Sequence, residues 1–473
     1  MGAWGDEIAD DGLRDRMKKT VVLNIVGLTP ALIGPSTPLL AKWAAQGRTA
    51  GINPAFPALT CSAQSDYLTG QYPSTHGIVG NGWYSHEDCE VRFWKQSNPL
   101  VQAPKIWDAA RAIDPSFTCA NLFWWFNMYS TVDYAVTPRP MYPADGRKLP
   151  DIHTFPGQLR GELQAALGQF PLFEFWGPRA SIRCSEWIAA SARHVEVAHN
   201  PTLTLVYLPH LDYNLQRVGV SNPVIHDDLR AIDRVAGELI AFYEDRGAQV
   251  IVLSEYGICD VTTPIHPNRA LREHGLLTIR DERGLEVLDA GASAAFAVAD
   301  HQVAHIYIND RSKLEQVRAL INQLPGVERV LDRNEQAELH INHDRAGDLV
   351  AISAPHAWFT YYYWVDDAHA PDFARTVDIH RKPGYDPVEL ILDPSIRFPA
   401  LYVGWRLFKR SIGMRALLDV TPLDASLVKG SHGRPGGDVA DGPLCISRRT
   451  DLFGSDRMAS VDVYELMLRH LTS

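Results

Sequence analysis

Three short runs in this 473-residue chain are apolar at nearly every position: Val21 to Val26, Thr202 to Leu208 and Gln249 to Leu253. Such runs have no polar face to turn to water, so they predict strands buried on both sides. Between the last two, Asp227 to Asp245 carries Leu229, Ile232, Val235, Leu239 and Phe242 at helical spacing, and a further helix is expected from about Pro38 to Gln46. Doubly buried strands alternating with amphipathic helices predict an α/β fold, a mainly parallel central sheet flanked by helices on both faces. The strands end in polar or turn residues: Gly27-Leu28-Thr29-Pro30, His210-Leu211-Asp212 and Ser254-Glu255-Tyr256. In sheets of this kind ligands sit beyond the carboxyl ends of the strands, so these three ends belong to one candidate site.

Length and composition bound the rest. We expect one large α/β domain over residues 1–443, with an aromatic-rich insertion at about 83–156 and a small α/β cap or insertion at about 304–342. In the latter, Ala304 to Ile308 starts a strand, Arg311 to Gln323 forms a helix, and Glu328 to Leu331 forms another strand. Residues 444–473 are expected to form a strand and helix packing on the core. A formal charge of −11 argues against binding to duplex nucleic acid, although a local site can still receive a small anion. The six cysteines, Cys61, Cys89, Cys119, Cys184, Cys259 and Cys445, contain no CxxC pair, which predicts reduced and mostly buried thiols. The run from Val21 is too short to span a membrane, and the first twenty residues do not read as an export signal. A cytoplasmic location without membrane attachment is therefore expected.

The densest chemistry lies in Phe56 to Asn81, FPALTCSAQSDYLTGQYPSTHGIVGN. Thr60 follows a Pro-Ala-Leu turn and leads into small residues that read as the first turn of a helix, where free N–H groups favour an anion. A hydroxyl there is a candidate nucleophile for a phosphate or sulfate centre. The Tyr72-Pro73 and His76-Gly77 turns bring Asn81 back beside it. Near the C-terminus stands a Gly-flanked histidine, Gly430-Ser431-His432-Gly433. Together these segments resemble the alkaline phosphatase superfamily, in particular its nucleotide pyrophosphatase/phosphodiesterase branch.

The resemblance implies a phosphodiesterase-type hydrolase in which Thr60 attacks phosphorus and Asn81 contacts a phosphoryl oxygen. It also implies two divalent ions, held in the family by three Asp and three His. At the matching positions this chain has Val26, Asp212, Gln216, Glu255, Tyr256 and His432. Asp212 and His432 match, Glu255 is a carboxylate substitute, and Gln216 is a weak oxygen donor. Val26 supplies no donor, and Tyr256 is a poor ligand at neutral pH. The expectation is therefore a reduced site for zinc, manganese or magnesium, with Asp212, Glu255, His432 and Gln216 as metal ligands. Asn81, Tyr213 and Tyr256 are the expected contacts to a small phosphate-ester substrate. Asn24, His210, His266, Asp300, His301, His305, Arg217 and Arg434 are further candidates to reach the pocket. Two alternatives stay open: a binding protein on the same fold without turnover, and an altered, metal-independent hydrolase or transferase.

Overall fold

The computed structural model describes residues 17–144 and 146–473. Its largest sheet has nine strands: β1 (Thr20–Ile25), β2 (Arg48–Asn53), β3 (Cys119–Leu122), β4 (Tyr134–Pro138), β5 (Ile152–Phe155), β6 (Leu203–Leu208), β7 (Gln249–Leu253), β8 (Leu444–Ser447) and β9 (Arg457–Ala459). Their order across the sheet is β9-β2-β8-β7-β1-β6-β3-β4-β5. The centre is parallel, with β1 between β6 and β7 and β3 beside β6. Strand β8 runs antiparallel between β7 and β2, and β5 closes the far edge antiparallel to β4. All residues of β1 and β6 are buried, as their unbroken apolar character requires.

Two assignments differ from expectation. The aromatic-rich stretch 83–156 is not set apart from the core, because it supplies β3, β4 and β5 to the main sheet. These strands are only four or five residues long and lie among turns, which hides their periodicity. Residues 444–473 likewise contribute β8 and β9 to the sheet itself, and only Asp462–Thr472 packs as a helix.

Four helices matter for the site and its surroundings: α1 (Thr60–Thr69), α2 (Ile182–His199), α3 (His210–Val218) and α4 (Ile225–Glu244). Helix α4 buries Leu229, Ile232, Val235 and Leu239, the periodic residues of the sequence. Helix α1 is different, because all ten of its residues are buried. Its polar side chains are accommodated internally: Ser62 bonds the Pro57 carbonyl, Ser65 that of Cys61, and Tyr67 that of Ser254. Asp66 is held by His76 and Ser460. The helix stops at Gly70, whose φ of 64° is the left-handed conformation that glycine adopts freely.

A second, antiparallel sheet of four strands is formed by Ala295–Asp300, Val303–Ile308, Leu349–Ser353 and Val327–Leu331, in that spatial order. It is wider than the 304–342 segment read from the sequence, because the partners that complete it lie on either side of that segment. Helix Leu314–Asn322 covers it with Val317 and Ile321. Its own apolar core includes Phe296, Tyr307, Trp358 and Tyr361 to Trp364. Among the described residues no helix is long and apolar enough to cross a membrane.

Candidate active site

The site lies beyond the carboxyl ends of β6, β1 and β7, where the adjacent register pairs Asn24 with Tyr207 on one side and Leu253 on the other. Thr60 is the first residue of α1, and the chain leaving β7 brings Glu255 and Tyr256 opposite it. The Thr60 hydroxyl lies 3.2 Å from the Tyr256 hydroxyl, which in turn donates to Asp212 Oδ1 at 3.2 Å. Gln216, one turn further along α3, donates its amide to Asp212 Oδ2 at 2.7 Å. A continuous hydrogen-bonded chain therefore runs Thr60–Tyr256–Asp212–Gln216. Asp212 is not at the strand end itself but in the first turn of α3, where a carboxylate is favoured by the helix dipole.

Glu255 has no exposed surface and sits on the other side of this chain. Asn24 and Gln64 both donate to its Oε1, at 2.6 and 2.5 Å, while its Oε2 has no partner. Gln64 is itself held by the Trp125 backbone N–H, at 2.6 Å. Burial raises the Glu255 carboxyl to about 8 despite the two amide donors, so it is mostly neutral at pH 7. Burial also lifts Asp212 to about 6, partly opposed by Gln216 and Tyr256. Tyr256 is pushed well above the usual phenol range, again by burial first and then by Asp212 and Glu255, so it stays protonated.

Asn81 returns beside the start of α1 and is engaged there by protein groups. Its side-chain oxygen accepts from the Cys61 N–H at 3.1 Å, and its amide nitrogen donates to Asp300 at 3.1 Å. Asp300 also accepts from the Asn81 backbone at 2.8 Å. Asn81 thus occupies one of the free N–H groups of α1 and ties this helix terminus to the second sheet. Burial raises Asp300 to about 7.

His432 Nδ1 lies 2.8 Å from the Ala58 carbonyl. A carbonyl only accepts, so Nδ1 carries the proton and Nε2 presents a lone pair, which has no partner. Burial lowers the ring to about 3 and keeps it neutral. Its loop needs its glycines: a Cβ on Gly430 would stand 2.0 Å from the Leu215 carbonyl of α3, and Gly433 has φ of 119°. Four rings lie in series, the first pair stacked and the next two contacts tilted by 38° and 31°. Tyr256 lies on His432 with centroids 3.6 Å apart, His432 on His301 at 3.8 Å, and His301 on Tyr385 at 3.9 Å.

Of the other expected residues, Tyr213 is buried near Trp176 and His210, and its hydroxyl has no hydrogen-bond partner. His210 faces Asp228 at 3.2 Å. His305 spans the Val79 carbonyl and the Gly347 N–H, and His266 bonds Thr360, so both are structural. Arg217 and Arg434 bond the Leu390 carbonyl and Glu328. Gln64 and Tyr385 were not singled out by sequence. Gln64 is one helical turn after Thr60 on the same face of α1, and that spacing is the signal that would have found it.

Residues 20–386 match the family described as type I phosphodiesterase / nucleotide pyrophosphatase. The chain belongs to this family. It is 25% identical over 227 residues to an uncharacterized pyrophosphatase/phosphodiesterase of Schizosaccharomyces pombe. That match covers 46% of this chain and 39% of the relative, so the chain spans well under half of the curated protein it resembles. Among solved structures, human ectonucleotide pyrophosphatase/phosphodiesterase 5 superposes with a TM-score of 0.59 at 13% identity, covering 96% of this chain and 95% of that one. Phosphonoacetate hydrolase from Sinorhizobium meliloti, in complex with phosphonoformate, gives 0.62 at 16% identity, covering 97% and 96%. These two likenesses establish the alkaline-phosphatase-like fold.

Enzymes of the family are metal-dependent in general, so the donor set needs a direct test. Among the described residues no group of three or more His, Cys, Asp and Glu is arranged to hold a metal. Val26 is apolar, and the Tyr256 phenol is taken up between Thr60 and Asp212. A pair of ions does not fit this donor set. The unpartnered atoms that remain on one side are Gln216 Oε1 and His432 Nε2.

The buried titratable groups also set the pH response of the fold. Glu255 and Asp300 have folded pKa values of about 8 and about 7, above those of the unfolded chain, so the folded state binds more protons and loses stability as pH rises through them. The histidines act oppositely. His432, His305 and His266 are held at about 3, 4 and 4, so their contribution is present above the unfolded value and falls as pH drops below it. Between pH 7.5 and 8.5 the histidines are neutral in the folded and unfolded chain alike while Glu255 and Asp300 still lose protons held in the folded state, and the urea midpoint is expected to fall across this window. Glu255→Gln keeps an acceptor for Asn24 and Gln64, and is expected to flatten that slope.

Proposed function

We propose that this chain is a divergent phosphoric ester hydrolase acting on a small phosphate ester, with Thr60 as nucleophile. The observation that carries this reading is the hydrogen-bonded chain from Thr60 through Tyr256 to Asp212 at the N-terminus of a buried helix. As Thr60 Oγ1 forms its bond to phosphorus, its proton passes to the Tyr256 oxygen while Tyr256 gives its own proton to Asp212. The ester oxygen of the leaving group departs with the bonding pair and takes up the proton that Asp212 has received, which leaves Asp212 free to accept a proton from the incoming water and Tyr256 to return one to Thr60. Water then attacks phosphorus, releases the phosphate and restores Thr60. Asn81 fixes the helix terminus on which Thr60 stands, and the unpartnered Tyr213 hydroxyl is the donor offered to a substrate oxygen.

At most one divalent ion, zinc, manganese or magnesium, belongs to this reading. Asp212, Gln216 Oε1 and His432 Nε2 would hold it, with Glu255 the remaining carboxyl on the Thr60 side. Such an ion would supply charge neutralisation at the phosphoryl group. The six unpaired cysteines support a reducing, cytoplasmic setting.

The test is a quenched reaction with an aryl phosphodiester, followed by peptide mass analysis for phosphate on Thr60. Tyr256→Phe keeps the ring stacked on His432 but breaks the relay, and is expected to lower kcat by about 10²-fold. A second reading, ligand binding without turnover, is favoured by Val26 at a position where the resemblance expects a carboxylate. Absence of both turnover and phosphothreonine with every added ion would select it.

A further inference from the structure

We infer that the surface helix Pro399–Ser411, α5, is a docking element for an anionic lipid surface. None of its thirteen residues is buried. Phe398, Leu401, Trp405, Phe408 and Ile412 recur at spacings of three and four, so they share one face, and all five are exposed, Phe398 and Leu401 by 69% and 72%. Leu407 and Met414 are exposed as well. A large apolar patch presented outward by a helix is an interaction surface.

Charge decides the partner. The protein carries a formal −11, yet between Asp393 and Asp419 there is no acidic residue, while Arg397, Arg406, Lys409, Arg410 and Arg415 are present. Of these cations Lys409 lies over the Trp405 ring at 5.1 Å and Arg410 bonds the Ala416 carbonyl, while Arg406 pairs with Asp419 and Arg415 with Asp372. Aromatic and aliphatic side chains facing outward, accompanied by basic ones, match a bilayer interface with anionic headgroups. A second copy is the weaker occupant, because two-fold pairing would set the excess positive charge of this segment against its own copy. The surface was not anticipated from the sequence, where no membrane contact was expected; α5 is too short to span and lies flat instead.

The experiment is co-sedimentation of the full chain with vesicles of phosphatidylcholine alone and of equal parts phosphatidylcholine and phosphatidylglycerol. Binding is expected to the mixed vesicles, weakening as salt is raised, and falling at least about tenfold in the Trp405→Ser, Phe408→Ser double variant. These side chains are exposed, so the variant should keep the parent's thermal midpoint. No binding to mixed vesicles, or equal and salt-insensitive binding to neutral ones, would overturn the proposal. So would a light-scattering dimer that the double variant dissociates, which would assign the face to a second copy.

Discussion

Thr60→Ala is expected to lower kcat for an aryl phosphodiester by at least about 10³-fold while leaving the fold intact. The hydroxyl is the only part of the side chain that reaches Tyr256, and the Asn81 bond to the next residue's N–H does not depend on it. Removing the methyl and hydroxyl at a helix start costs little backbone order, since alanine is an equally good first residue. The check is kcat measured beside the thermal midpoint. Unchanged turnover in the variant would remove Thr60 from the chemistry and with it the proposed mechanism.

Lys382→Met is expected to produce the largest loss of stability, about 3–5 kcal/mol. Lys382 is 1% exposed and lies 2.8 Å from Glu389 and 3.2 Å from Asp386, both also buried. Burial alone would lower its pKa, yet the two carboxylates outweigh this and hold the ammonium above its usual value. Deleting the cation leaves two buried carboxylates facing each other, which must either protonate or unfold. Glu389 also receives the Trp176 indole N–H at 2.8 Å, and Tyr385 between these residues ends the four-ring series. The triple change Lys382→Met, Asp386→Leu, Glu389→Leu removes charge together with its partners and should recover most of the loss. Urea denaturation of both variants separates a buried-charge penalty from a packing defect.

The sequence was most legible where burial leaves a simple pattern. The unbroken runs of β1, β6 and β7 and the periodic face of α4 each predict one element, and all four form. What escaped are elements whose stability comes from neighbours: the four-residue strands β3 and β5, and β8, which is inserted between β7 and β2. Propensity over four residues decides nothing, and pairing with a distant strand does. At the site, chain position brought attention to Thr60, Asp212, Glu255, Tyr256 and His432, which the fold gathers into one place. The bonds among them were not legible. That Tyr256 lies between Thr60 and Asp212, or that Asn81 is taken up by Cys61 and Asp300, depends on side-chain directions across five separate segments. The buried salt-bridge cluster at Lys382 was equally hidden, because a lone lysine in sequence reads as surface.

The central claim is that a hydrogen-bonded chain through Tyr256 stands where the family's metal pair would be. Elemental analysis of the full chain, equilibrated with zinc and then freed of unbound ion, tests it most directly. The account predicts no more than one zinc per chain, retained through Asp212 and His432 and lost in His432→Ala. Two tightly held zinc ions per chain would contradict it.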